Sequence, residues 1–140
     1  MTDAGFRVLV AGVARGELLW LTEPISLWGG LDPETGLIID PGHPQVGRSM
    51  TGAIVSMPHS RGSSSSSSVL AEALRLERGP AGFILETPDS ILVIGSLVAE
   101  RLYGTTCPIV CGSLPEGSTG TWMIDHNQVS RLPGSGAGPD

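Results

Sequence analysis

The chain has 140 residues, 40% of them apolar, with eight basic against fourteen acidic side chains and a formal net charge of −6. Those figures exclude a disordered chain and leave room for one hydrophobic core, not two. All eight bases are Arg, only one Tyr occurs and no basic stripe forms, so the pattern of a nucleic-acid-binding protein is excluded as well.

Residues 6–13 and 17–21 are apolar-rich runs that predict two short strands, joined tightly through Ala14-Arg15-Gly16. Trp28-Gly29-Gly30 then leads into Asp32-Pro33-Glu34-Thr35-Gly36, where Pro33 and Gly36 have the chemistry of a turn. Leu37-Ile38-Ile39 predicts a short buried strand. Asp40-Pro41-Gly42-His43-Pro44 predicts a second loop, stiffened by its prolines. This β-rich first half is expected to bury one face on the sheet that follows.

The period changes after the strand around Ile54. Val69, Leu70, Ala73, Leu74 and Leu76 recur with helical spacing, while Glu72 and Arg75 take the wet face as a solvated pair. Gly79-Pro80 stops that helix and Phe83-Ile84-Leu85 is a strand. Thr87-Pro88-Asp89 reads as cap, first-turn proline and first-turn acid of a helix running to Tyr103 and ending at Gly104. Ile109-Val110 closes the series. Strand-helix-strand-helix-strand is the pattern of a parallel sheet with crossover helices, so an α/β, three-layer β/β/α domain is expected. The pattern of residues 113–132 leaves their role open, and the Gly/Pro/Ser-rich tail from Pro133 is expected to fray.

Six consecutive serines, Ser63 to Ser68, follow Met57-Pro58-His59-Ser60-Arg61-Gly62. A serine run usually reads as linker. Here a strand precedes it and a helix follows at once, so backbone N–H groups and hydroxyls converge where an anion can bind. His59 is either a loop residue with one hydrogen bond or a functional imidazole, and His43 is open to the same two readings. Trp28 reads as a packing anchor for its Gly-Gly turn rather than a stacking platform. Cys107 and Cys111 offer two ligands where zinc or a cluster needs three or four. Extended residues four apart lie roughly 13 Å apart, too far for a disulfide. Free buried thiols, no signal-peptide layout and no membrane-length apolar run lead to the expectation of a cytoplasmic protein without a metal of its own.

Taken in order, Trp28-Gly29-Gly30, Asp32 to Gly36, Ile39-Asp40, His43-Pro44 and Gly62-Ser63 before a Val-Leu helix resemble the small subunit of aconitase X, the aconitase X swivel domain. The likeness runs over residues 15–111 and makes residues 1–112 the swivel domain, with 113–140 a partly flexible C-terminal extension. What it implies is a dehydratase (hydro-lyase) of the aconitase superfamily. A small swivelling subunit is completed by a large one whose cysteines hold an iron–sulfur cluster. The substrate it implies is a small hydroxy acid, cis-3-hydroxy-L-proline in bacteria or mevalonate 5-phosphate in archaea. The Lys-free, Arg-only composition favours the bacterial compound. Aconitases carry a Gly-Ser-Ser-Arg segment whose first serine is the base. Gly62-Ser63-Ser64 fits its first three positions, Ser65 stands where the arginine would be, and Arg61 is the nearby cation. Ser63 is therefore expected as the base, with Arg61, Gly62 and Ser64 binding substrate, and His59, His43 and Trp28 as possible site or interface residues. The competing reading is a phosphoryl-carrier or anion-binding module that uses His59 and the 62–68 loop.

Overall fold

Ile-Val-Ser-Met at 54–57 and Gly-Phe-Ile-Leu at 82–85 are buried at every position, as strands covered on both faces must be. The computed structural model describes residues 2–3 and 5–133. Their elements in chain order are β1 (Thr2–Asp3), β2 (Arg7–Val10), β3 (Val13–Trp20), α1 (Leu27–Gly30), β4 (Ile54–Met57), α2 (Ser66–Arg75), β5 (Gly82–Leu85), α3 (Ser90–Tyr103), β6 (Ile109–Cys111), β7 (Thr121–Asp125) and β8 (Gln128–Arg131). One sheet runs β1-β8-β7-β3-β4-β5-β6-β2. Its centre, β3 to β6, is parallel, and β2 and β7 join antiparallel on either side. No helix among the described residues is long and apolar enough to cross a membrane.

Alternation along the central strands divides the core. Val55, Met57, Phe83, Leu85 and Ile109 face one cluster with Leu70 and Leu74 of α2 and Leu92 of α3. Ile54, Ile84 and Val110 face the other, with Trp122, Ile124 and Val129 of the C-terminal hairpin. The sheet folds back on itself because β3 changes partner midway. Val13 to Glu17 pair with β7, and Leu18 to Trp20 pair with β4. Helices, central strands and hairpin make the three layers of a β/β/α domain.

Several local expectations change. The second face is covered chiefly by β7 and β8 rather than by the first half, whose Leu21, Ile25, Leu27, Leu31, Ile38 and Met50 join the helix-side cluster. Ala14-Arg15-Gly16 is not a connection but the middle of β3. A Cβ on Gly16 would lie 2.1 Å from the Gly52 carbonyl oxygen, so this glycine serves a close backbone crossing. Nor are the flanking runs neighbours, since β2 sits at the far edge beside β6. Leu37-Ile38-Ile39 forms single bridges only, and Ile38 alone is buried. Residues 121–131, whose role the pattern left open, supply two sheet strands. The frayed tail expected from Pro133 lies, beyond Pro133 itself, outside the described residues.

Candidate active-site loop

Because β3, β4 and β5 are parallel, their C-terminal ends, Trp20, Met57 and Leu85, open on one edge of the sheet. In open α/β sheets that edge is where ligands bind. The loop after β4 carries His59 to Ser65 across it. Ser60 pairs with Ile25 in a parallel bridge, and Arg61 N–H donates to the Ile25 carbonyl at 2.9 Å. Gly62 then takes φ +81°, a left-handed turn with open space around it that aims the serines outward.

The serines divide sharply. Ser63 is half-buried, and its Oγ accepts the Ser65 N–H at 3.1 Å. The carbonyls of Ser63, Ser64 and Ser65 accept the N–H groups of Ser66, Ser67 and Ser68 in a tight first turn. Among the described residues, the N–H groups of Gly62, Ser63 and Ser64 have no acceptor in the chain. They stand with the N-terminus of α2 and the exposed Arg61, which makes no ion pair among the described residues. All these groups favour negative charge.

Ser66 and Ser67 do not spend their hydroxyls on the helix's own N–H groups. Ser66 is fully buried, and its Oγ accepts the Trp28 N–H at 3.0 Å. Ser67 Oγ donates to the Ile91 carbonyl at 2.7 Å, tying α2 to α3. Trp28 is also corrected. The residue is 62% exposed, so it is no packing anchor; its backbone N–H is held by Ser66. α1 is in effect a turn broken at Trp28 and Gly29.

His43 is buried, its Nε2 donating to the Glu23 carbonyl at 3.0 Å and its Nδ1 accepting the Gln45 N–H at 3.1 Å. Both ring nitrogens are thus occupied by backbone groups outside the serine loop. His59 is exposed, and its Nδ1–H donates to the Ser60 carbonyl at 2.6 Å. Asp32 builds its turn by accepting from Glu34 N–H and Thr35 Oγ1, each at 3.0 Å. Asp40 accepts from Gly42 N–H at 2.9 Å. Asp32 and Asp40 thus hold the turns of their own motifs. Glu72 and Arg75 form the expected exposed pair, at 2.7 and 2.8 Å, and Arg75's hydrogen bonds hold the Glu72 carboxyl below its ordinary value.

Two residues support the loop in roles the pattern did not assign to them. Ser66 is one. Asp89 is the other: it caps α3 in place of Thr87, with Oδ1 accepting from Ile91 and Leu92 N–H, while Oδ2 accepts from Ser60. An Asp directly before an apolar helical run was the available signal.

The side chains of the described residues do not fit an iron–sulfur cluster. Cys107 is fully buried on the helix side, and burial pushes its thiol up to about 12, away from the thiolate a cluster needs. Cys111 is half-buried with its Sγ against the Glu86 carbonyl, and no three His, Cys, Asp or Glu groups gather among the described residues. A cavity of about 590 Å³ lies between β3 and residues 118–121, lined in part by Arg48, and includes no residue of the serine loop.

A half-buried serine on a glycine-led turn, backed by a helix N-terminus at the open edge of parallel strands, defines an α/β domain that gathers a hydroxyl and unpaired backbone N–H groups at one edge. Residues 4–127 match the family model of the aconitase X swivel domain, and the chain belongs to that family. It is 47% identical over 105 residues to the cis-3-hydroxy-L-proline dehydratase of Pseudomonas aeruginosa, covering 75% of this chain and 18% of that protein. It is 38% identical over 93 residues to the phosphomevalonate dehydratase small subunit of Pyrococcus furiosus, covering 66% of this chain and 69% of that subunit. The crystal structure of Thermococcus kodakaraensis aconitase X in its holo-form superposes with a TM-score of 0.81 at 26% identity, covering 94% of this chain and 98% of the matched one.

Proposed function

We propose that this chain is the small swivelling part of an aconitase X-type dehydratase, a hydro-lyase that removes water from a small hydroxy acid, with Ser63 as base. The observation that carries the reading is the hydrogen bond from Ser65 N–H to Ser63 Oγ on a half-buried side chain. Elimination takes a proton from the carbon beside a carboxylate and expels the neighbouring hydroxyl. Serine accepts that proton as its alkoxide, so Oγ must first give up its own proton and the alkoxide must be stabilised. The Ser65 N–H strengthens its bond as charge grows on Oγ, and the α2 N-terminus and Arg61 add positive potential. Arg61 and the free N–H groups of Gly62 and Ser64 hold the substrate carboxylate.

Arg61, Gly62, Ser64 and Ser65 are all exposed, so water is excluded only when a second surface closes over the loop. That surface is assigned to a large partner, which also carries the iron–sulfur cluster. No step on this chain runs through the cluster. The substrate assigned is cis-3-hydroxy-L-proline. Support comes from the higher identity to the Pseudomonas enzyme, and from a loop with one cation where a phosphate-bearing substrate wants several. The reconstituted complex should turn over cis-3-hydroxy-L-proline and leave mevalonate 5-phosphate untouched, in the cytoplasm of its host. The chain by itself should be inactive and iron-free. Stoichiometric iron in the isolated chain, or turnover without a partner, defeats the assignment.

A second reading has one specific observation behind it. With Nδ1–H given to the Ser60 carbonyl, the Nε2 of exposed His59 is left as a bare acceptor, the form a phosphoryl group would need. Mass spectrometry after incubation with a phosphoryl donor decides: a phosphohistidine at His59 supports a carrier, and an unmodified chain supports the dehydratase.

A further inference from the structure

We infer that Asp89 is a positioning residue whose carboxylate fixes the 61–65 loop by gripping Ser60. The inference rests on the dehydratase reading for what the loop does, and on hydrogen bonding alone for how it is held. Between Ser60 and Ser66 the loop bonds mostly to itself. Ser63 Oγ takes the Ser65 N–H, and the Ser63 and Ser64 carbonyls take those of Ser66 and Ser67. Its one other backbone tie is from Arg61 N–H to the Ile25 carbonyl. Where the loop sits therefore depends on its two ends. At the far end Ser66 is buried under the Trp28 turn. At the near end Ser60, also buried, gives its N–H to Asp89 Oδ2 at 2.6 Å and its hydroxyl to the same oxygen at 2.5 Å.

The two carboxylate oxygens have separate tasks. Oδ1 accepts from Ile91 and Leu92 N–H at 3.0 and 3.2 Å and caps α3; Oδ2 serves only Ser60. One buried group, 8% exposed, thereby couples the start of α3 to a residue three positions before Ser63. Charge-assisted bonds to an ionised acceptor are about twice as strong as neutral ones, so this is the firmest anchor the loop has.

That division makes the device testable. In Asp89→Asn the amide oxygen keeps the cap, since Asn caps as well as Asp. The amide nitrogen now confronts Ser60, whose hydroxyl can turn to accept but whose backbone N–H cannot. Hydrogen exchange on the full chain should be ~10-fold faster or more at the bonded amides of Ser60, Arg61 and Ser65 and unchanged in β4 and β5, since local opening is set by local anchoring. In the complex with its partner, KM for cis-3-hydroxy-L-proline should rise while kcat falls, with kcat/KM down about 10–100-fold, the cost of a slightly misplaced site. Ser60→Ala, which removes one of the two bonds and keeps the carboxylate, should move the same readouts less. Unchanged exchange at Ser60, Arg61 and Ser65 in both variants overturns the inference. So does a loss of kcat at constant KM, the mark of fewer folded molecules. If Ser63→Ala keeps its turnover, the assignment of Ser63 as base falls instead. If neither the parent complex nor the variant turns over substrate, the dehydratase reading falls. In both cases the exchange measurement still decides the role of Asp89.

Discussion

The first three residues of the serine run and the last three share one side chain and live in different physical worlds. Ser63, Ser64 and Ser65 lie in the loop at the open edge of the sheet, where Ser63 Oγ receives a backbone N–H and no hydroxyl is fully buried. Ser66, Ser67 and Ser68 form the first turn of α2, where Ser66 holds the Trp28 turn and Ser67 holds α3. What differs is which atom each hydroxyl meets. A run that composition calls a linker thus contains the proposed base, two structural ties and positions free of any visible duty.

The largest effect is expected at Ser63. Ser63→Ala should lower turnover of the assembled enzyme by ~10²–10⁴, the usual contribution of a positioned proton-transfer group. Its melting temperature and its affinity for the partner should stay close to those of the parent, because the one bond the hydroxyl makes, to the N–H of exposed Ser65, can be replaced by water. If Ser63→Ala keeps its rate while Ser64→Ala loses it, the base is one residue further along and the comparison must be redrawn.

Ser66→Ala comes next and should reverse the pattern. The substitution strips the Trp28 N–H of its acceptor beside a fully buried site, which costs about 1–3 kcal/mol. Urea unfolding should show the midpoint falling at constant slope, the sign of lost stability rather than an altered unfolded state. An unshifted midpoint means that Ser26, whose Oγ lies 3.4 Å from Ser66 Oγ, takes over the bond.

These contrasts also mark what the sequence could and could not disclose. The chain from β4 to β6 was legible because it is ruled by hydrophobic period. All-buried four-residue strands alternate with helices, and Gly104 ends α3 as its local signal says. By contrast, α2 already ends at Arg75, short of the Gly79-Pro80 expected to stop it, with Glu77 taking the left-handed turn. The middle of β3 was not, because Gly16 reads as a turn signal until the Gly52 carbonyl is seen against it, a contact between residues far apart in sequence. The hairpin β7–β8 was written in plain alternation, with Trp122, Ile124 and Val129 facing inward, but its place in the sheet depends on β3 changing partner at Leu18. The loop followed the same rule. Gly62-Ser63 before a helix located it; the anchors Asp89 and Ser66 act through tertiary bonds across 29 and 38 positions. Trp28 was misjudged for a related reason, since an apolar ring beside glycines suggests packing until its backbone is seen tied to Ser66.

Ser67→Ala should be milder than Ser66→Ala. Its hydroxyl donates at 2.7 Å to the Ile91 carbonyl, in the first turn of α3, so the loss is one ordinary hydrogen bond, about 0.5–1.5 kcal/mol. A water can replace the donor because Ser67 is only half-buried. Turnover should be nearly unchanged, and calorimetry should show a fall in melting temperature smaller than that of Ser66→Ala. Equal falls would mean that the α2–α3 tie matters as much as the tie to the Trp28 turn.

Ser65→Ala should have the smallest effect, although position alone argues otherwise. Ser65 is the N-cap of α2, and replacing a serine cap by alanine typically costs ~1 kcal/mol, because the hydroxyl satisfies one of the helix's free N–H groups. Here the residue has helical dihedrals, φ −64° and ψ −16°, and its hydroxyl makes no capping bond. The N–H groups of Ser68 and Val69 are both taken by its carbonyl, at 3.1 and 3.2 Å, which any residue would supply. Its own N–H, the one that reaches Ser63, is likewise kept in alanine. Stability should therefore stay within ~0.5 kcal/mol of the parent, and turnover should not move. A loss near the full cap value would show that the hydroxyl rotates inward to cap α2, and would place Ser65 with the structural half of the run.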